Sequence, residues 1–96
     1  MKEGRKEREA DVWTALADGT RRDILQMLSS RPHTAGELAD QFERSAATVS
    51  HHLAILRESG LVHCERRAQT LIYSLAPDGA KEAALFLQML QKKARR

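Results

Sequence analysis

Along most of the chain, apolar residues recur at intervals of three and four, give way to a short stretch with period two, and then return to helical spacing. From about Glu7 to Ala17, the residues Ala10, Trp13, Leu16 and Ala17 share one face while charges fill the other, which predicts an amphipathic helix. Asp18, Gly19 and Thr20 break the pattern. Thr20 is placed to cap a second helix whose stripe of Ile24, Leu25 and Leu28 runs out at Ser29 and Ser30. Arg31, Pro32 and His33 follow as a turn, because proline bars continuation.

Thr34 reads as the N-cap of a third, short helix. Glu37 stands three residues on to complete a capping box, and Leu38, Ala39 and Phe42 form the buried side. Ser45 is the next N-cap candidate. Behind it, Val49, Leu53 and Leu56 repeat at four and three residues until Gly60, which ends the fourth helix as a C′ glycine. A short helix, a tight turn and a longer helix ending in glycine outline a helix-turn-helix over about residues 34–59.

The period then changes. The segment "LVHCERRAQTLIYSL", about residues 61–75, is rich in Val, Ile, Leu, Thr and Tyr and reads as a two-stranded hairpin, with Val62 and Cys64 on one strand and Leu71, Tyr73 and Leu75 alternating on the other. Its tip, Arg66 to Gln69, is polar and basic. Pro77 is placed to begin a last helix over about residues 77–94. That helix carries two overlapping apolar faces, Ala80, Ala84, Leu87 and Leu90 beside Leu85, Met89 and Lys92. One small core does not need both, so the surplus predicts a dimer seam. The fold class expected is mainly α with a small β-hairpin, one domain over residues 1–96, built as a dimeric winged helix-turn-helix of about five helices and a two-stranded wing.

In the fourth helix, each residue turns by about 100°. With Val49, Leu53 and Leu56 inward, Ala47, His51, Ala54 and Glu58 point outward and Thr48 and Ser50 flank them. His52 falls nearer the core edge, where it is expected to bond a neighbouring backbone group or a phosphate. An outward N-terminal half made of Ala47, Thr48, Ser50 and His51 is small, polar and free of carboxylates. It suits the DNA major groove, where hydroxyls meet base edges and an alanine methyl meets a thymine methyl. A plain solvated face would be denser in Glu and Lys. Arg66, Arg67 and Gln69 at the hairpin tip are placed to reach the DNA backbone or the minor groove, although a hairpin tip also needs polar residues simply to stay in solution. Thr34 and Ser45 serve first as caps, and a helix N-terminus is in addition a ready site for a phosphate.

Composition sharpens this only in part. Ninety-six residues leave room for a modest core and not for a deep substrate cleft beside it. Sixteen Lys and Arg against 13 Asp and Glu give a net charge of +3, with eleven of the cations arginine. An anionic partner is favoured weakly, since arginine also serves surface ion pairs. The single cysteine, Cys64, cannot form an internal disulfide and sits where a small hydrophobe would, and no apolar run is long enough for a membrane span, so a cytoplasmic location is expected. Catalysis is not expected. Ser50 and His51 diverge on the helix and no orienting carboxylate is marked out. The histidines at 33, 51, 52 and 63 form no i, i+4 pair and there is no C-x-C or C-x-x-C, so neither a metal nor another cofactor is expected.

Taken together, "ALADGTRRDILQML", "AGELAD", "SAATVSHHLAILRESGLV" and "YSL" resemble the ArsR/SmtB family of bacterial winged-helix repressors over about Asp11 to Leu75. The resemblance implies a homodimer, held by its first and last helices (about residues 7–17 and 77–94) through Trp13, Leu16, Leu85, Leu87, Met89 and Leu90. It would bind a pseudo-palindromic double-stranded operator and repress transcription, with Thr48, Ser50 and His51 on the recognition helix and Arg66 and Arg67 on the wing. Gly19 stands where the family usually has proline, Ala68 where the wing turn often has glycine, and Gln69 where a cation is common. The stretch "TAGEL" lacks the cysteine pair of metal-responsive members, and the last helix lacks their Asp and His ligands. The chain therefore resembles the metal-independent branch. Two alternatives keep the scaffold: an effector-responsive repressor, sensing a metal or a redox signal at Cys64, and a winged helix that binds protein.

Overall fold

The structure is a computed structural model in which residues 11–95 are described. Residues 7–10, the start of the expected first helix, lie outside them. Asp11 caps α1 (Val12–Leu16), its Oδ1 accepting from the N–H of Thr14 at 2.9 Å. Asp18, rather than the expected Thr20, caps α2 (Gly19–Leu28), with Oδ2 accepting from the N–H of Arg21 at 3.0 Å. Its backbone is already extended there (φ −103, ψ 132), so the chain turns one residue before Gly19 and Thr20 falls inside the first turn.

α3 (Ala35–Phe42) opens with the anticipated capping box, Thr34 Oγ1 accepting from Glu37 N at 3.1 Å and Glu37 Oε1 accepting from Thr34 N at 3.0 Å. It closes on Glu43 in the left-handed region (φ 53), where the N–H groups of Glu43 and Arg44 reach back to the carbonyls of Asp40 and Ala39. α4 (Ala46–Glu58) follows, capped by Ser45. Past its end Gly60 takes φ +87, and the N–H groups of Gly60 and Leu61 bond the carbonyls of Arg57 and Leu56 at 3.0 and 3.1 Å. That is a Schellman closure, which a residue with a Cβ enters only at a cost.

The sheet has three strands among the described residues rather than the expected two. β1 (His33–Thr34) pairs antiparallel with β3 (Thr70–Leu75), which pairs in turn with β2 (Val62–Arg67), giving the order β1-β3-β2. The strand at His33 was hidden inside a predicted turn because two residues carry no periodicity; it exists through its pairing with Tyr73 and Ile72. Opposite one another on β2 and β3 stand Cys64 and Tyr73, with Val62 facing Leu75 and Arg66 facing Leu71. Tyr73 and Val62 are buried, whereas Leu71 and Leu75, expected to alternate inward with Tyr73, are exposed.

The last helix, α5 (Lys81–Ala94), starts four residues later than Pro77 predicted. Residues 77–80 form turns instead, and Gly79 is pressed against the Gly60–Leu61 backbone, where a Cβ would collide with the Gly60 carbonyl and lie 2.9 Å from Leu61 Cα. The core gathers Ile24, Leu28, Leu38, Val49, Leu53, Leu56, Leu61, Val62 and Tyr73 from α2, α3, α4 and the sheet, so the third and fourth helices and the hairpin are fixed to one another. Five of these, Ile24, Leu38, Val49, Leu53 and Leu56, are fully buried, each aliphatic side chain contributing roughly 1.5–3 kcal/mol. Among the described residues no helix is long and apolar enough to cross a membrane.

Candidate nucleic-acid interface

α4 is positioned by Val49, Leu53 and Leu56, all buried, so its opposite side faces out: Ala46, Ala47, Ser50, His51, Ala54 and Glu58 are exposed. Thr48 is half-buried at the flank. Glu58, near the end of the helix, carries the only carboxylate on this face, which leaves the first three turns without one. Ser45 Oγ accepts from Thr48 N at 3.1 Å and stands 2.9 Å from Thr48 Oγ1, so both hydroxyls are tied to the helix start. Thr34 is likewise occupied as a cap. Both therefore keep only part of their hydrogen-bonding capacity for a phosphate.

The hairpin packs beside α4, with a shallow cleft between them lined by Ala54, Arg57, Glu58, Val62, His63 and Cys64. At its tip Arg66, Arg67 and Gln69 are exposed, and Arg67 Nε donates to Glu65 Oε2 at 3.2 Å. Ala68 carries a positive φ of 59 in the two-residue turn, a conformation that glycine enters more easily than alanine. Cys64 is half-buried and packs against the core; across the ladder, burial and then the neighbouring Cys64 raise the Tyr73 phenol above its ordinary range.

His52 lies at the core edge, and the partners of its Nδ1 are side chains rather than a backbone group. Its Nδ1 lies 3.2 Å from Arg21 Nη1 and 3.9 Å from Asp18 Oδ2. Arginine has donors only, so Nδ1 must present its lone pair and the ring proton sits on Nε2. A neutral His52 follows, and the Asp18 contact is a dipolar one rather than an ion pair. Burial holds the imidazole below its ordinary value; Asp18 opposes this, and Arg21, His51 and Arg44 reinforce it. Arg21 also donates through Nε to the Ala15 carbonyl at 2.9 Å and through Nη2 to the Thr14 carbonyl at 3.1 Å, while Arg22 Nη1 reaches the Leu16 carbonyl at 2.8 Å. The two arginines thus satisfy the open carbonyls at the end of α1.

Two residues of interest escaped the sequence reading. Arg44 is exposed in the turn just ahead of Ser45, and a cation beside an N-cap was the signal available for it. Phe86 is 48% exposed and meets Trp13 edge to face with centroids 5.8 Å apart. It fell between the two stripes drawn on the last helix. Trp13, Leu85, Leu87, Met89 and Leu90 are exposed, whereas Leu16 packs against the core. Among the described residues no group of three or more His, Cys, Asp or Glu side chains is placed to hold a metal ion.

A helix-turn-helix domain family matches residues 16–65, just over half of the chain. The transcriptional repressor SdpR of Bacillus subtilis is 40% identical over 65 residues, covering 68% of this chain and 72% of its own length. The HTH-type transcriptional regulator Rv2034 of Mycobacterium tuberculosis is 47% identical over 69 residues, 71% of this chain and 64% of its own, somewhat under two thirds. A crystal structure of an ArsR family transcriptional regulator superposes with a TM-score of 0.76 at 26% identity, covering 86% of both chains. The chain belongs to the ArsR/SmtB family of winged-helix transcription regulators. Within that ArsR/SmtB scaffold α3 and α4 are the helix-turn-helix pair and β2–β3 the wing, and the exposed face that is free of carboxylates over its first three turns belongs to α4, the second helix of the pair.

Proposed function

We propose that the chain is a homodimeric, sequence-specific DNA-binding transcriptional repressor of the cytoplasm that works without a bound metal and has no catalytic role. The observation that carries this is the exposed face of α4, free of carboxylates over its first three turns and held beside a wing with two arginines at its tip. In the major groove, Ser50 and His51 offer hydrogen bonds to base edges and Ala47 a methyl group to thymine. Thr48 flanks them. Arg66, Arg67 and Gln69 meet the backbone or the minor groove, and Arg44 with the caps Ser45 and Thr34 meets phosphates at the helix starts.

The dimer reading rests on α5. Leu85, Phe86, Leu87, Met89 and Leu90 are 41–56% exposed on one helix, and Trp13 beside Phe86 is 49% exposed. A contiguous apolar patch of this kind marks an interface. Two-fold pairing would set two recognition helices one DNA turn apart, about 34 Å, which is why the operator is expected to be pseudo-palindromic. Bound over a promoter, such a dimer excludes the transcription machinery.

Selection of bound duplexes from a random pool tests the reading: it predicts enrichment of an inverted repeat, and repression of a reporter carrying that repeat. A pool that stays random after selection would sink it. Trp13 is the chain's one tryptophan. Its emission is expected to shift to the blue as protein concentration rises and the dimer forms; a concentration-independent spectrum with monomeric sedimentation would remove the dimer.

A further inference from the structure

The Arg21 side chain touches three elements at once. It ends α1 by donating to the carbonyls of Thr14 and Ala15, it belongs to α2, and its remaining nitrogen reaches Nδ1 of His52 on α4. His52 is one residue from the exposed His51 and two from Ser50. We propose that Arg21 is a positioning residue for DNA reading: it fixes the rotation of α4 relative to α1 through His52, and the link holds only while His52 is neutral.

The chemistry behind this is one of donors and acceptors. A protonated imidazole has no lone pair, so it cannot accept from a guanidinium and is repelled by it. Asp18 Oδ2, 3.9 Å away, stands ready to take the new N–H, which would draw the ring from Arg21 toward the start of α2. The charged and titratable groups around His52 are Asp18 and Arg21 from α2, His51 from its own helix and Arg44 from the α3–α4 turn; of these only Asp18 favours the proton. Acidification therefore exchanges one tether for another, and the second does not reach the end of α1.

This rests on the DNA-binding reading, so the test has one arm with DNA and one without. Anisotropy titrations compare a selected duplex with a random one at constant salt, at about pH 7.5 and at steps below the ordinary histidine value down to the acid limit of the fold, because burial holds His52 below that value. For the natural chain the preference for the selected duplex falls about fivefold or more on acidification, within the span of ordinary site coupling. His52→Asn keeps an acceptor where Nδ1 stood and cannot titrate, so its preference falls less on acidification than the natural chain's does. His51 is present in both proteins, so the difference between them belongs to His52. Arg21→Ala lowers the preference at about pH 7.5 to the level the natural chain reaches in acid, and acidification then lowers it little further, while affinity for random DNA changes by less than about twofold.

Without DNA, ring-nitrogen NMR shifts report the Nε2–H form of His52 in the natural chain and a rise of its titration midpoint in Arg21→Ala, where one of the cations opposing Asp18 is gone. A His52→Asn protein that loses preference in acid as the natural chain does overturns the proposal. So does a folded Arg21→Ala that keeps full preference, or an unchanged His52 titration in that variant. If Arg21→Ala does not fold, the His52→Asn comparison and the tautomer of the natural chain decide, and an Nδ1–H form refutes the link. A natural chain without preference at any pH fails the DNA reading instead, leaving the NMR pair to judge the tether.

Discussion

Arg21 and His52 lie 31 residues apart in sequence and meet at 3.2 Å, guanidinium donor to imidazole lone pair. Burial keeps His52 below its ordinary value, so below about pH 6.5 the unfolded chain takes up this proton before the folded one does. Stability is thus complete above that pH and is lost as pH falls below it. Thermal melting across this range is expected to show the decline, and His52→Asn to flatten it. Asp11, Asp18 and Glu37, each lowered chiefly by a cap hydrogen bond to backbone N–H, add a further loss only in the carboxylate range, as pH falls toward their folded values. A melting profile of the natural chain that is flat down to the carboxylate range would contradict the buried, neutral His52.

Gly19→Pro is expected to stabilise the fold by about 0.4–1 kcal/mol. Gly19 is the first residue of α2, the position where proline's fixed φ is already helical. The preceding Asp18 is extended, as a residue before proline prefers, and a Cβ at position 19 would meet nothing closer than Arg22 Nη2 at 3.7 Å. Denaturant midpoints compare the two proteins, and a lower midpoint for the proline variant would show that Asp18 is misplaced as the cap.

Gly79→Ala is expected to destabilise by roughly 1–3 kcal/mol, because its methyl group would strike the Gly60 backbone rather than a movable side chain. Chemical denaturation measures it. No change would mean that the turn before α5 does not press on the end of α4.

How far the sequence was legible follows the range of the forces involved. Local signals placed the capping box at Thr34 and Glu37, the Ser45 cap, the Gly60 stop and the Val49, Leu53, Leu56 stripe, because each is set by residues within a turn or two. What went unread is non-local. β1 exists because Tyr73 and Ile72 pair with it; the delayed start of α5 comes with the packing of Gly79 on Gly60; and the partner of His52 is on another helix. The outward set on α4 was legible as a pattern, whereas Phe86 was missed because its stacking on Trp13 crosses between helices.

The helix and the wing are expected to fail differently. His51→Ala or Ser50→Ala loses about 1–3 kcal/mol of discrimination for a selected sequence. Arg66→Ala, by contrast, weakens selected and random duplexes alike, and Arg67→Ala does so less because Arg67 is already engaged by Glu65 at 3.2 Å. Competition binding with single-base variants separates the two, and a changed base preference in the arginine variants alone would reverse the assignment.

The most direct test of the central claim is a mobility-shift titration of the protein on the DNA upstream of its own gene, against random duplex, across a range of salt. Regulation by DNA binding predicts a preferred complex, whose affinity falls with a log–log slope of about 0.9 per phosphate contact. Equal affinity for both duplexes at every salt concentration would contradict it.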